Sequence, residues 1–144
     1  IAFNEVSLFR ASSQAVHLKI SIQDKVRLEK LVCDGALVCT PAGSTAYNLS
    51  AHGPVLPIDS NILALTPISP FTPRRWRGAI MPDTAEITFD VLNPEKRPVF
   101  ATADNTEAKY VKKVCVRTSK NDSVVILTNA DHDLEERIIT EQFS

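Results

Sequence analysis

Several residue types and patterns are scarce in this sequence of 144 residues, and each scarcity argues against a class of protein. Cys33, Cys39 and Cys115 form an odd set without C-x-x-C spacing, so neither a disulfide framework nor a zinc site is predicted. We expect them to be small buried hydrophobes in a reducing compartment, the cytoplasm. No apolar run approaches the roughly 18 residues of a membrane span, and no signal peptide is recognised. With 16 basic and 17 acidic residues, the chain has no general field for nucleic acid or a membrane surface.

Familiar catalytic motifs are missing as well. The sequence contains no Walker loop, no G-x-G-x-x-G and no G-x-S-x-G. His52 lies two residues from Ser50, but that spacing does not define an oriented base and nucleophile. We therefore predict binding chemistry without a catalytic residue or a metal ligand in this chain. Because the sequence opens with IAFNEVSLF and lacks an initiator methionine, we also expect it to be part of a longer protein.

The apolar pattern that is present predicts a mainly β fold. With 44% hydrophobic residues, the chain can bury the core of one ordinary domain. Alternating apolar positions predict eight or so short strands, including a hairpin whose turn lies at residues 23–25. Strand-like runs occur near residues 1–9, 17–22, 26–32, 34–40, 85–92, 97–104, 111–119 and 123–128.

Helices are few in this pattern. The prolines between residues 54 and 73 leave room for one helical turn at most, near residues 60–65 and capped by Ser60. HDLEERIITEQF at the end of the chain predicts a helix with Asp133 as N-cap and with Glu135 and Glu136 in its first turn. The predicted architecture is a β-sandwich with one central helix and one terminal helix.

The central helix is predicted in TPAGSTAYNLSAHGP, residues 40–54, which holds two of the chain's 4 glycines. Gly43 supplies backbone freedom at the corner between strand and helix, and Ser44 or Thr45 can cap the first N–H groups. Those N–H groups and hydroxyls could equally face a ligand. The segment is therefore either the mouth of a nucleotide site or an ordinary capped helix.

The face of this helix bears on the same choice. Tyr47 and Ser50 lie three residues apart and share a face, whereas Leu49 is expected to point toward the core. Ala46 is small enough for a planar base to approach, and the Tyr47 ring can stack on it or cover it. The alternative is a core helix whose Tyr47 is half-buried.

Other polar residues have two interpretations each. Glu5, next to Asn4, could accept hydrogen bonds from a ribose diol or could be an exposed strand glutamate. Asp34-Gly35 and Asp104-Asn105 are turn signals first and ligand candidates second. The run PRRWRG suits a phosphate or nucleobase, but we favour a subunit interface or a solvent-facing loop around Trp76.

Three stretches in order, FNEV, DGALVCTPAGSTAYNLSAHGP and LALTPISPF, resemble the carboxy-terminal domain of bacterial NAD kinases. The motif D-G-x-x-V-x-T-P-x-G-S-T-A-Y is long and specific, and the asparagine–glutamate pair is a second signature. The resemblance implies a cytoplasmic enzyme that phosphorylates the adenosine ribose 2′-hydroxyl of NAD to NADP. It also implies ATP or polyphosphate as donor, a divalent cation expected to be Mg²⁺, and a homo-oligomer.

The resemblance also implies which residues would line the NAD site. In this family NAD lies between an α/β amino-terminal domain, absent from this sequence, and the β-sandwich. Asp34 would hold the nicotinamide end, in its own subunit or reaching from a neighbouring one. The adenine and ribose would meet a wall that includes the helix face derived above. The implied NAD-binding residues are Asn4, Glu5, Asp34, Thr45, Ala46, Tyr47, Ser50, Ser69 and Asn105.

Two departures from the family pattern limit what this chain can do. The family's G-G-D-G motif, whose aspartate is thought to activate the hydroxyl, does not occur here. His52 stands where many members have glycine. Residues 1–130 would form the NAD-binding β-sandwich, and residues 131–144 would pack on the amino-terminal domain. Since phosphoryl transfer needs donor, metal and nucleophile positioned together, we expect this chain to be inactive alone.

Two competing functions remain at this stage. The first is a non-catalytic β-sandwich that assembles subunits through the Trp76 region and its sheet edges, and it predicts oligomerisation that Tyr47→Ala does not affect. The second is half of a lipid or diacylglycerol kinase, which shares the architecture at a distance, and the G-S-T-A-Y sequence argues against it.

Overall fold

A computed structural model describes residues 1–128 and 134–144 of the chain. Two antiparallel sheets pack face to face: sheet A has the strand order β6-β5-β4-β1-β8-β9 and sheet B the order β10-β7-β2-β3. In the described residues the strands are β1 (Glu5–Arg10), β2 (Val16–Ile22), β3 (Lys25–Cys33), β4 (Gly35–Cys39), β5 (Ile62–Ile68), β6 (Ala79–Pro82), β7 (Ile87–Leu92), β8 (Val99–Ala103), β9 (Thr106–Ala108) and β10 (Lys113–Val116). A 3₁₀ turn (Ala42–Thr45), helix α1 (Tyr47–Ser50) and helix α2 (Leu134–Gln142) complete these elements.

The main core lies between the two sheets. Alternate residues of each strand point inward, so Leu8, Leu18, Phe89 and Val99 are fully buried there. A second cluster covers the outer face of sheet A, where the segment after β4 folds back over it; it comprises Leu37, Cys39, Leu56, Ala64 and Ile68. Because β4 is covered on both faces, its sequence GALVC is apolar throughout and every residue is buried. The predicted β-sandwich with a central and a terminal helix is confirmed.

The predicted hairpin is present between β2 and β3. Gln23 and Asp24 have φ angles of 53° and 60°. Two successive left-handed residues are the geometry of a type I′ turn, which matches the twist of the paired strands. β3 forms one edge of sheet B and carries exposed Lys25, Arg27 and Lys30, which protect that edge against pairing with another chain.

The helical turn predicted near residues 60–65 is wrong, because Ile62–Ile68 is strand β5 in the interior of sheet A. Proline is tolerated at position 67 because β6 ends its pairing at Leu65, so no partner on that side needs the missing N–H. Ser60 donates a hydrogen bond from its hydroxyl to the Pro57 carbonyl at 2.5 Å instead of capping a helix.

The predictions for the end of the chain have mixed outcomes. Residues 123–128 form no strand, since no described strand pairs with them, and Val125 and Leu127 are 82% and 91% exposed. Helix α2 is present with Glu135 and Glu136 in its first turn, but the predicted N-cap Asp133 lies outside the described residues. No residue of α2 is buried.

The prediction of buried cysteines holds for two of the three. Cys33 and Cys39 are buried as predicted, and burial raises the pKa of both thiols to about 12. Cys115 is exposed, contrary to the prediction, because it lies on the outer face of the edge strand β10. Among the described residues, no helix is long and apolar enough to cross a membrane.

Candidate functional site

The segment from residue 40 to 54 folds differently at its start from the predicted single capped helix. A 3₁₀ turn precedes α1, and neither has a side-chain hydrogen bond at its N-cap. The Ser44 hydroxyl instead donates to the Pro41 carbonyl at 2.7 Å and accepts the Leu56 N–H at 2.9 Å. Ser44 is fully buried, so its hydroxyl fixes the returning chain and does not face a ligand.

A buried amide holds α1 in place. The Asn48 side chain donates to the carbonyls of Ser44 at 3.0 Å and Pro54 at 2.8 Å, and it accepts the Thr66 hydroxyl at 2.6 Å. Asn48 is fully buried, whereas Leu49, which was predicted to point toward the core, is only partly buried. The main inward residue of α1 is therefore Asn48. A satisfied polar network of this kind specifies one orientation of the helix.

That orientation leaves Tyr47 and Ser50 exposed, as their spacing predicts, with Tyr47 38% exposed and Thr45 and Ala46 partly buried beside it. Burial raises the pKa of the Tyr47 phenol, and the carboxylates of Asp34 and Glu5 raise it further. The ring therefore lies within electrostatic reach of both acids. An uncharged phenol with one open face can cover a planar ligand.

Gly43 joins the two sequence signatures by close approach. A Cβ on Gly43 would lie 2.0 Å from the Asn4 carbonyl oxygen, so no larger residue fits without moving one segment. The prediction gave Gly43 a different role, that of conformational freedom. The same carbonyl accepts the Thr40 N–H at 3.0 Å, and the Thr40 hydroxyl donates to the Phe3 carbonyl at 2.7 Å. Asn4 is thus held by its backbone.

Asp104 completes this clamp, a role different from the turn residue or ligand that the sequence suggested. Its carboxylate accepts the backbone N–H groups of Phe3, Asn4 and Glu5 at 2.5, 3.0 and 3.1 Å. Burial alone would raise the pKa of Asp104, but these hydrogen bonds lower it overall. Its φ of 51° is one that aspartate tolerates better than most residues. The sequence showed a turn here, but no local signal reveals a partner about 100 positions away.

Glu5 is the acid that this clamp presents. Its Oε2 atom is buried and has no hydrogen-bond partner in the described part of the chain. Burial, and then the negative charge of Asp104, raise the pKa of Glu5. Buried carboxylate oxygens ordinarily have partners, so an unpartnered one is a place where a ligand hydroxyl can donate.

Beyond Glu5, the outer face of β1 forms an open floor between α1 and the β8–β9 hairpin. Ser7 and Phe9 follow on the same face, and the Ser7 and Thr102 hydroxyls lie 2.6 Å apart. Phe9 lies opposite Phe100 and is 41% exposed. The floor is therefore polar near Glu5 and aromatic at its far end.

Asp34 lies at that far end. Glu5 pairs with Cys39 and Phe9 with Gly35, so Asp34 is roughly 15 Å along β1 from Glu5. Arg10 Nε lies 3.1 Å from Asp34 Oδ1, although its N–H is not aligned for a hydrogen bond, and the contact is an ion pair. Both side chains are about one-third exposed.

The structure sorts the predicted residues into three places. Asn4, Glu5 and Asn105, the last at the exposed tip beside Asp104, lie at one end of the floor. Ser69 lies at the other end with Asp34, because the Asp34 N–H donates to the carbonyl of the preceding residue, Ile68. Ser69 has a φ of 47°. The residues of the 3₁₀ turn and α1 form the side wall, which comprises Thr45, Ala46, Tyr47 and Ser50.

A cavity of about 610 Å³ opens at one end of the sandwich and is distinct from this floor. It lies between the ends of β1 and β4 and the segment 115–126, and of the predicted residues it meets only Glu5. We place the candidate site on the floor because the unpartnered Glu5 carboxylate lies at one end of it, Asp34 lies at the other end and Tyr47 lies beside it. The described residues contain no group of three or more His, Cys, Asp or Glu side chains that could hold a metal ion.

Fold and floor together define a β-sandwich domain with a candidate ligand-binding surface on the outer face of sheet A. A family model described as the ATP-NAD kinase C-terminal domain matches residues 3–128. The chain belongs to this family. Proteins named NAD kinase from Mesorhizobium japonicum, Brucella suis and Cereibacter sphaeroides are 56%, 58% and 60% identical to it over 143 residues.

Each alignment covers 99% of this chain and 56% of the relative, so the chain spans little more than half of their length. Among solved structures, an Archaeoglobus fulgidus NAD kinase in complex with ATP superposes with a TM-score of 0.72 at 23% identity. A yeast NADH kinase complexed with NADH gives 0.70 at 24% identity. The superpositions cover 83% of this chain and 46% and 38% of those chains, and they support the fold.

Proposed function

We propose that the protein to which this chain belongs phosphorylates the 2′-hydroxyl of the adenosine ribose of NAD, giving NADP. Membership of the ATP-NAD kinase family supports the reaction, and relatives of 52–60% identity carry the name NAD kinase. The observation that carries the role of this chain is the unpartnered Glu5 carboxylate at one end of a floor walled by Tyr47.

The floor gives each end of a dinucleotide a place. Glu5, fixed by the Asp104 clamp, would accept hydrogen bonds from the ribose hydroxyls, with Asn4 and Asn105 beside it. Tyr47 would cover the adenine against Thr45 and Ala46, with Ser50 on the same face. The roughly 15 Å between Glu5 and Asp34 suits an extended dinucleotide, whose nicotinamide end Asp34 and Ser69 would hold.

This chain alone would bind NAD weakly and turn nothing over. Glu5 has one oxygen without a partner, whereas both oxygens of neighbouring Asp104 accept backbone N–H groups and cannot assist it. The described residues do not fit a divalent cation, so the cation, the phosphates of ATP or polyphosphate, and the base would be held by residues outside them. A cytoplasmic homo-oligomer remains part of the proposal.

The test is NAD titration by calorimetry on this chain and on the whole protein, with NADP formation from ATP followed in the second. We expect weak binding by the chain and NADP formation only by the whole protein. Absence of binding and turnover in both would leave subunit assembly as the better account.

A matched pair of tyrosine variants separates the two accounts in the whole protein. Tyr47→Ala is expected to raise KM for NAD about three- to tenfold, because a well-placed aromatic contact contributes about 0.5–1.5 kcal/mol. Tyr110→Ala removes the other tyrosine, which is 67% exposed and contacts Phe100 at the far end of the floor, and should raise KM less than Tyr47→Ala does. Equal effects of the two substitutions would contradict the assigned wall.

The assembly alternative loses its expected anchor in the structure. Trp76 is partly buried and packs against the main core, so it is not free to serve as a contact residue. Phe71 is 58% exposed, with the Arg74 guanidinium 4.8 Å from its ring centroid. Phe71 to Arg75 and Arg77 are the exposed residues of this loop, so its exposed surface contains arginines and Phe71 and not the tryptophan.

A further inference from the structure

The outer face of sheet B, on the opposite layer from the candidate site, carries an unbalanced group of positive charges. His17 of β2 lies opposite Val32 of β3 on one side and Leu92 of β7 on the other. Leu31 and Cys33 point into the core, so Lys30 and Val32 share the outer face with His17. Lys30 lies two residues before Val32 and is therefore a diagonal neighbour of His17 on the adjacent strand.

The loop after β7 adds two more cations beside His17. Its turn is closed by the Arg97 N–H, which donates to the Asn93 carbonyl at 2.9 Å. The Arg97 guanidinium then donates to the Ala15 carbonyl at 2.8 Å, which holds it over the start of β2. Lys96 precedes it and is exposed. The arginine is fixed by its hydrogen bond, whereas the lysine is free to move onto a ligand.

These charges act on His17 and form no close ion pair in the described part of the chain. Burial lowers the pKa of His17, and the positive charges of Arg97, Lys30 and Lys96 lower it further. Within residues 1–128 and 134–144, none of these three cations has a carboxylate oxygen within 4.0 Å. Since the whole chain has a net charge of -1, this concentration is local and does not reflect a basic protein.

The acids that face this region are few. Asp90 lies opposite Lys19 in the strand register, and its carboxylate is 3.9 Å from the Lys113 ammonium, so it is already paired with a lysine outside the group. Glu29 and Glu95 are exposed neighbours in sequence of Lys30 and Lys96. The local net charge remains positive, and a bound anion would neutralise it.

We propose that His17, Lys30, Lys96 and Arg97 form a binding site for phosphate groups on the outer face of sheet B. A guanidinium, two flexible ammonium groups and an imidazole are the donors that phosphate oxygens prefer. The phosphates could belong to an inorganic oligophosphate or to the phosphate chain of a nucleotide. The site is independent of the proposed cleft and does not require NAD binding.

The test follows the His17 ring protons by NMR between pH 5 and 8 in the wild-type chain. We expect inorganic tripolyphosphate to raise the pKa of His17 by about half a pH unit or more over NaCl of equal ionic strength, because an anion favours imidazolium. His52, exposed at the end of α1, is an internal reference whose signals should follow ionic strength only. An equal response with NaCl would overturn the proposal.

Lysine variants and a nucleotide arm complete the design. Lys30→Ala and Lys96→Ala should each weaken tripolyphosphate binding about two- to fivefold, as expected for a partly exposed charge contact. Lys25→Ala, at the far end of the same strand, should leave it unchanged; equal loss there would show a diffuse field and overturn the site. ATP binding as well as or better than tripolyphosphate supports phosphate recognition, while ATP binding without tripolyphosphate binding contradicts it.

Discussion

At the scale of single residues, Asp104 and Glu5 show how two neighbouring acids acquire different roles. The Asp104 carboxylate accepts hydrogen bonds from three backbone N–H groups, and these hydrogen bonds favour its charged form. Glu5 is desolvated beside that charge and keeps one oxygen without a partner. The first acid therefore fixes the backbone that positions the second.

Asp104→Asn tests this division of roles. Near neutral pH we expect the free energy of unfolding to fall by about 1–2 kcal/mol, because an amide replaces a charged acceptor of several N–H groups. Asparagine tolerates the positive φ, so backbone strain is not added. Because the pKa of Asp104 is lowered in the fold, its contribution is complete above the unfolded-state pKa and is lost as pH falls through the folded-state value.

Urea unfolding of wild type and variant should therefore differ at pH 7 and approach each other at an acid pH below the folded-state pKa of Asp104. Asp59→Asn, at an exposed aspartate, is the matched control and should change little at either pH. A loss of equal size at both pH values would argue against the charged clamp.

His52→Gly is expected to stabilise the fold by about 1 kcal/mol. His52 has a φ of 64° and its N–H closes the end of α1 on the Leu49 carbonyl at 3.0 Å, the position where glycine is favoured. The midpoint of urea unfolding should rise with an unchanged slope. His52→Ala keeps the Cβ penalty and should show no gain, so a gain of equal size there would contradict the explanation.

At the scale of elements, the alternation of apolar residues was enough to predict most strands, because one face of each is buried. It failed for β5, where the prolines suggested that no regular element could form. The strand tolerates Pro67 because its pairing with β6 ends at Leu65. It failed again for α1, whose inward residue is Asn48 and not an apolar one. Asn48 bonds to Ser44 and Thr66, which belong to other elements, and no local pattern reveals such a network.

Asn48→Ala should therefore cost more stability than Leu49→Ala, against ordinary expectation for an amide and a leucine. Removing the Asn48 amide leaves two carbonyls and the Thr66 hydroxyl without their partner in a buried place, for a loss of about 3 kcal/mol. Leu49 is only partly buried, and its truncation should cost less. Unfolding in urea measures both, and the reverse order would contradict the role of the network.

At the scale of the whole molecule, apolar surface is left over at one end of the sandwich. The cavity there is lined partly by Val124 and Ile126 from the unpaired segment 123–128, while Val125 and Leu127 face outward. Ile139 and Phe143 of the terminal region are 50% and 87% exposed. The sequence predicted that residues 131–144 pack on an amino-terminal domain. It did not indicate that residues 123–128 form no strand, because strand pairing depends on partners that the sequence does not show.

We propose that residues 131–144 pack on the remaining part of the whole protein, and hydrogen exchange can test this. In this chain as a monomer, the amides of α2 should exchange within a short time, because no α2 residue is buried and a nine-residue helix is marginal alone. In the whole protein the same amides should be protected, whereas β1 and β4 should be protected in both. Strong protection of α2 in the monomeric chain would contradict docking, since the helix would then be stable without a partner.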